Sequence, residues 1–241
     1  MQRFREIAVE RALVIAAHPD DVDFLASGTV AHWTDTGTDV SYCVVTDGDA
    51  GGFETQTSRT DIPALRRAEQ LCAAEAVGVH RVEFLGYPDG GVEATAGLRA
   101  DLTRVIRAVR PQRVIMHSPD INWLRLPDFH PDHRRTGEAS LQAVYPDSRN
   151  PFAHPFLLRD KGLQPWTVGE IWMIGAPDSN HWVDITDTIT EKLRGLRAHA
   201  SQTSHLDDLE DLVRRRLEEQ AADAGFASGR LAEAFHVVDT S

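Results

Sequence analysis

The chain predicts an α/β fold in which a mostly parallel sheet carries helices on both faces, and three observations support it. Apolar runs with β-branched residues recur at "ALVIAA" (12–17), "VSYCVVT" (40–46), "RVEFLG" (81–86), "RVIMHS" (113–118) and "EIWMIG" (170–175). Helical patterns fill the intervals between the first four, at 24–36, 62–77 and 98–109. The resulting order, βαβαβαβ, requires parallel neighbours with helices packed over them.

Each element carries its own signals. Pro63 suits the first turn of the second helix, Gly78 stops it after "LCAAEAV", and Pro111 closes "LTRVIRAVR". The last third, from "VDITD" to "AADAG", gives a short strand and then one or two amphipathic helices with i,i+4 charge pairs. Residues 118–132 and 145–166 have no clear period and are rich in Pro, Asp and Asn. Loops of that length are expected to be functional walls or lids, or else surface insertions. The whole chain, 1–241, is expected to form one Rossmann-like domain. In it, 1–145 supplies the core, and 146–241 completes it with a loop, late strands and a C-terminal helical segment.

Composition narrows the function classes. Hydrophobic residues make up 41% and charged residues 26%, as in a soluble globular protein. No window approaches 18 uninterrupted apolar residues, and the N-terminal stretch lacks the apolar core and cleavage site of a secretory signal. A cytoplasmic protein is expected. The net charge of −12 disfavours nucleic acid or an anionic membrane as partner and leaves a small molecule as the expected one. Cys43 and Cys72 lie in apolar segments and are expected to be buried thiols.

Two polar clusters carry the chemistry. "VIAAHPDDVDF" (14–24) places His18, Asp20, Asp21 and Asp23 where the first strand ends. In open α/β sheets ligands bind outside the carboxyl ends of strands, near the point where strand order reverses. A dinucleotide site would carry glycines there. Crowded carboxylates raise one another's pKa unless a cation sits among them, so His beside Asp reads as a metal site. The plainer alternative is that Asp20 or Asp21 caps the helix that follows. "DFHPDHRRTGEA" (128–139) repeats the vocabulary after the fourth strand with His130, Asp132 and His133. Two His and one Asp from two loops make a three-ligand site with an open position, as catalytic zinc requires, and Fe(II) suits the same set.

With "AHPDD" (17–21), "VVTDGDAGG" (44–52), "RRAEQ" (66–70), "HPDH" (130–133) and "HASQ" (199–202) in view, the sequence resembles the LmbE/PIG-L family of zinc-dependent N-deacetylases. That resemblance implies removal of an acetyl group from an N-acetylglucosamine-type amino-sugar conjugate. It implies His18, Asp21 and His133 as the zinc ligands and Asp20 as the general base. His130 is then expected to stabilise the oxyanion or protonate the leaving amine, and Asp132 to orient an imidazole or cap the helix after it. Arg66 and Asp89 are implied as sugar contacts, with a solvated helix face and the "PDGG" turn as their ordinary explanations.

Two departures stand out. The commoner pattern reads A-H-P-D-D-E, but this chain has Val22 at the Glu position, followed by Asp23. Asp128 stands two residues before His130, where some members have a tyrosine. Asp47 and Asp49 face the same rim or simply form a tight turn, and His181 and His199 either reach the site or serve structure. Trp123, Phe129, Trp166 and Trp182 offer a stacking face or ordinary packing. Amide cleavage of a thiol-sugar conjugate is the rival activity on the same fold, and a non-catalytic metal-binding protein is the rival class. A nucleotide site fails because "DGDAGG" lacks P-loop spacing. Leu206, Leu209, Leu212, Val213 and Leu217 form a stripe for packing on the domain or for a homo-oligomer contact.

Overall fold

The computed structural model describes residues 9–52, 58–123, 125–126 and 130–241. Asp128 and Phe129 lie outside the described residues. Strand β1 (Arg11–Ala16) is central: it pairs in parallel with β2 (Asp39–Thr46) on one side and with β4 (Arg113–His117) on the other. β3 (Arg81–Tyr87) extends the β2 side, and β5 (Glu170–Ile174) extends the β4 side, both in parallel. The order is β3-β2-β1-β4-β5-β7-β6, so direction of growth reverses between β1 and β4. The carboxyl ends of those two strands therefore bound the crevice where a ligand is expected.

Alternation along β1 explains why both faces must be covered. Val14 and Ala16 point into one apolar layer with Ile115, Trp172 and Phe235, while Leu13 and Ile15 join Leu102, Ile106 and Met116 in the other. The first layer lies beneath helices α1 (Asp21–Leu25), α2 (Ser27–Asp35) and α3 (Ile62–Ala76), and the second beneath α4 (Ala96–Val109) and α5 (Pro131–Val144). The punctuation behaves as the sequence predicts. Pro63 occupies the first turn of α3, and Gly78 takes a left-handed φ of 76° just after its end.

Several elements differ from expectation. The single helix expected over 24–36 is two, broken at Ala26. The second start is feasible because Glu233 accepts from the N–H groups of Gly28 and Thr29 at 3.0 and 2.7 Å, supplying the partners a helix start needs. Glu233 belongs to β7 (Ala232–Asp239), a strand that the sequence pattern does not predict. It runs antiparallel between β5 and β6 (His181–Asp184). The segment 145–166, expected as an aperiodic wall or lid, contains α6 (Pro155–Arg159). Arg107 donates to the carbonyls of Asp147, Ser148 and Asn150, and Trp166 Nε1 donates to Pro111 O at 2.7 Å. These contacts fix the segment beside the start of β4, at the edge of the sheet opposite the crevice. Cys43 is buried as expected, but Cys72 is exposed, because the inward face of α3 is taken by Arg66, Gln70, Ala73 and Ala74.

The C-terminal part comprises α7 (Ile189–Ala198), α8 (Ala200–Thr203) and α9 (Leu209–Asp223). Leu209, Val213 and Leu217 are buried against Leu193 and Leu196, so most of the apolar stripe packs within the chain, while Leu212 stays exposed. No helix among the described residues is long and apolar enough to cross a membrane.

One glycine ties the fold to the crevice. A Cβ on Gly137 of α5 would collide with the backbone carbonyl of His117, so the helix can lie this close to β4 only without a side chain there. Gly137→Ala is expected to destabilise the protein by about 1–3 kcal/mol through overpacking that cannot relax, measured as a lowered midpoint of urea unfolding.

Candidate metal centre

The two "HP" loops meet over the β1/β4 crevice. His18 directly follows β1 and its continuation Ala17, and α5 begins at Pro131 after β4, so His133 sits in that helix's first turn. His18 Nδ1 lies 3.2 Å from His133 Nε2 and 3.5 Å from Asp21 Oδ2, and His133 Nε2 lies 2.9 Å from Asp21 Oδ1. Tetrahedral ligands at zinc distances are about 3.3 Å apart, and these pairwise separations are of that size, with His18 and His133 approaching the two different oxygens of Asp21. Overlapping groups extend the cluster: His130 beside His18 and His133, His117 beside Asp21 and His133, and Asp89 with Asp132 beside His18.

The electrostatics favour a cation. Burial opposes a charged His18, yet Asp21, Asp132 and Asp89 together push its pKa up to about 12. Burial likewise opposes ionisation of Asp21, but the imidazoles of His133, His117 and His18 hold it well below the usual carboxylate range. The negative charge gathered at His18 thus demands a positive partner, which either a proton or a metal ion supplies. The donor set is N and O only, suited to zinc and other borderline divalent ions.

The outer groups aim the inner ones. His18 Nε2 lies 3.2 Å from Asp132 Oδ2 and 3.1 Å from Asp89 Oδ1, leaving Nδ1 turned to Asp21 and His133. Carboxylates in this position fix an imidazole's tautomer and raise its basicity. Asp132 also accepts from Gly90 and Val92 N–H at 2.7 and 3.1 Å, tying the "PDGG" turn to α5. It does not cap α5: His130 does, its Nδ1 accepting from Asp132 N–H at 3.2 Å. With Nδ1 accepting, a neutral His130 carries its proton on Nε2. Burial and the neighbouring His18 and His133 lower its pKa and favour that neutral form.

Adjacent Asp20 and Asp21 diverge because Asp20 has a left-handed φ of 95°. Asp21 turns inward, its Oδ2 accepting from His18 N–H at 2.7 Å, while Asp20 Oδ2 accepts from Arg66 Nη2 at 3.0 Å. Asp20 occupies the N-cap position of α1 but makes no side-chain cap bond, so its carboxylate is not serving the helix. Burial pushes its pKa up to about 6 against the pull of the Arg66 guanidinium.

Other expected site residues are placed differently. Arg66, a candidate sugar contact, is only 3% exposed and donates to Asp20 and to the carbonyls of Pro19 and Gly48, so its charge is engaged inside the turn. Asp89 is directed at His18. Asp47 pairs with Arg67, and Asp49 accepts from Arg59 and from Asp89 N–H. His199 is buried on Asp23, and His181 packs on Trp172. Trp166 stacks under Arg110 at the far edge, whereas Trp123 is 77% exposed on the loop after β4. Trp182 lines a neighbouring cleft of about 440 Å³ with Phe24 and Asn122. His117 is not among the residues that the sequence motifs single out: it ends β4, stacks on His133 at 4.2 Å between ring centroids, and lies 3.1 Å from Asp21 Oδ2. Burial, with His133 beside it, pushes its pKa down to about 4. A polar residue closing an apolar strand next to the reversal point was the available signal.

The profile of the family described as "PIG-L: GlcNAc-PI de-N-acetylase" matches residues 13–144. The chain belongs to this family. It is 34% identical to the diacetylchitobiose deacetylase of Thermococcus kodakarensis over 80% of its own length and 70% of that protein's. It is 32% identical to a probable N-acetyl-alpha-D-glucosaminyl L-malate deacetylase 2 of Bacillus cereus, over 83% and 86% of the two chains. Among solved structures, N,N'-diacetylchitobiose deacetylase from Pyrococcus horikoshii, complexed with its inhibitor MPG, superposes with a TM-score of 0.88 at 30% identity. The match covers 96% of this chain and 85% of that one. The PIG-L match spans both "HP" loops, and with them every inner and outer group of the cluster.

Asp132→Ala removes the oxygen that holds His18 and releases the "PDGG" turn. Divalent-metal affinity is expected to fall about 10- to 100-fold, read by competition with a chromophoric chelator.

Proposed function

We propose that the protein is a zinc-dependent N-deacetylase that hydrolyses the acetamide of an N-acetylglucosamine-type conjugate to acetate and a free amine. The observation that carries this is Asp20. A site built only to hold a metal ion has no use for a carboxylate kept beside the ligands, released from helix capping, held by a buried guanidinium, and with its pKa pushed up to about 6. The PIG-L relatives support the substrate class, since their names share a 2-acetamido sugar.

His18, Asp21 and His133 would hold the ion. When bound, it would supply Lewis-acid polarisation and lower the pKa of a water towards about 7. The residues of the chain do the rest. Asp20 takes the proton of the attacking water, with Arg66 keeping its carboxylate aimed. His130 offers Nε2–H to the oxygen that becomes negative in the tetrahedral intermediate, a role open to a neutral ring. Asp89 and Asp132 hold His18 in the tautomer that keeps Nδ1 free. Arg66 and Asp89 thus serve the sugar indirectly, by fixing the groups that face it. A small amino-sugar conjugate in the cytoplasm remains the partner this reading assigns.

Zinc-loaded protein is expected to release acetate from N-acetylglucosamine conjugates, and chelator-treated protein is not. Asp20→Asn should lower kcat by about 10²- to 10⁴-fold with metal content unchanged, the usual worth of a positioned base. Unaltered turnover in that variant would remove Asp20 from the mechanism. A base must be deprotonated, so activity should rise with pH through a limb near or below about 6, measured as kcat/KM across pH 4.5–8.

A further inference from the structure

The motifs "RRAEQ" and "HASQ" contain two buried residues that the mechanism above leaves unused, Gln70 and His199. Gln70 Oε1 accepts from the backbone N–H of Asp20 at 2.9 Å, and Gln70 Nε2 donates to Asp23 Oδ2 at 3.1 Å. The same Asp23 oxygen lies 2.9 Å from His199 Nε2. Asp23, Gln70 and His199 are all fully buried, so none can exchange these partners for water. An ionised carboxylate only accepts. Asp23 therefore decides which way the Gln70 amide faces, with its NH₂ towards Asp23 and its carbonyl towards Asp20. Reversing the amide would lose both bonds.

Asp20 needs such a hold. A non-glycine residue at φ 95° sits in a sparsely populated region that costs about 1–3 kcal/mol and persists only where its surroundings over-determine it. Arg66 secures the Asp20 side chain, and Gln70 secures its backbone. The support comes from the C-terminal helices. Lys192 of α7 donates to the carbonyls of Asp23 and Phe24 at 2.8 and 3.0 Å. Gly195 of the same helix leaves room for Asp23: a Cβ there would lie 2.8 Å from Asp23 Oδ1. Ser201 donates to Glu69 and locks α8 onto α3.

We infer that His199, Asp23 and Gln70 form a buried hydrogen-bond relay that positions the Asp20 turn, so that the C-terminal helices orient the base from behind. The inference rests on reading Asp20 as that base. All three are positioning residues, acting through Asp20 and touching no substrate.

Two variants test it. Gln70→Met keeps the side chain's length but removes the acceptor for Asp20 N–H. Gly195→Ala leaves the groups of the relay unchanged and sets a Cβ against Asp23 Oδ1, while alanine itself suits helix α7. Both are expected to lower kcat about 10- to 100-fold, as misplacement of a catalytic group does, with KM and zinc stoichiometry at wild-type values. Gln70→Glu, whose protonated carboxyl offers the same acceptor and donor, should recover part of the loss. The crystal structure of Gln70→Met should show Asp20 out of the left-handed region. Retention of φ near 95° there, or kcat within about twofold of wild type in the folded variants, would overturn the relay. If one variant does not fold, the other decides between the same two outcomes. Failure of the underlying reading looks different: the wild type would release no acetate, or Asp20→Asn would remain active, while the backbone angle would still report on the relay.

Discussion

Everything at the crevice depends on the negative charge that converges on His18. Asp21, Asp89 and Asp132 all lie within 3.5 Å of its ring nitrogens, and each of the four side chains is largely removed from water. Buried like charges are tolerable only when compensated, because the low-dielectric interior penalises each unpaired ion by several kcal/mol. The fold solves this by bringing imidazoles from different elements to the carboxylates: His18 after β1, the neutral His117 at the end of β4 and His133 at the start of α5. Strand order reverses between β1 and β4, so their loops diverge and leave a crevice, where a helix crossing over would otherwise close it. The close approach of α5 at Gly137 then brings His133 within reach of Asp21.

The second constraint is that two neighbouring carboxylates must differ. Asp21 faces three imidazoles and is held ionised; Asp20 faces one guanidinium under heavy burial, and its pKa is pushed up to about 6. Environment rather than residue type separates the two carboxylates, as the proposed roles of ligand and base require, and the left-handed turn creates the two environments from adjacent positions. Backbone strain at Asp20 is in this sense a working part of the site. Its upkeep falls on residues far away in sequence, which is why α7 and α8 belong to the same functional unit as the β1 loop.

Much of this was legible in the sequence. Two acidic "HP" clusters, each after an apolar run, announce a rim site, because nothing structural needs His and Asp crowded where buried strands end. The remainder was hidden for identifiable reasons. His117 reads as the polar end of a strand, and only the sheet order shows that β4 neighbours β1. β7 follows a charged helix, and its Glu233 looks like a solvent residue until Lys192 and the α2 start are seen to surround it. The segment 145–166 reads equally as a wall, a lid or a surface insertion, because period and composition carry no information on which edge of a sheet a loop occupies. Arg66 and Asp89 were recognisable as important, but their partners, Asp20 and His18, could be assigned only from distances.

Val22 can be understood on the same terms. It is fully buried in the apolar layer that also holds Val14, Ile115 and Trp172, where a glutamate would have to leave water for apolar surroundings. One residue further on, a helix has turned by about 100°, which carries Asp23 away from that layer and towards α3 and α7. There its carboxylate meets Gln70 and His199. An acidic group thus stands behind the Asp20 turn at position 23, and the side of the helix it occupies determines what it can hold. At position 22 a carboxylate would face the sheet; at position 23 it reaches Asp20 through Gln70, and the turn that sets Asp20 and Asp21 apart gains its support from the C-terminal helices rather than from the strands.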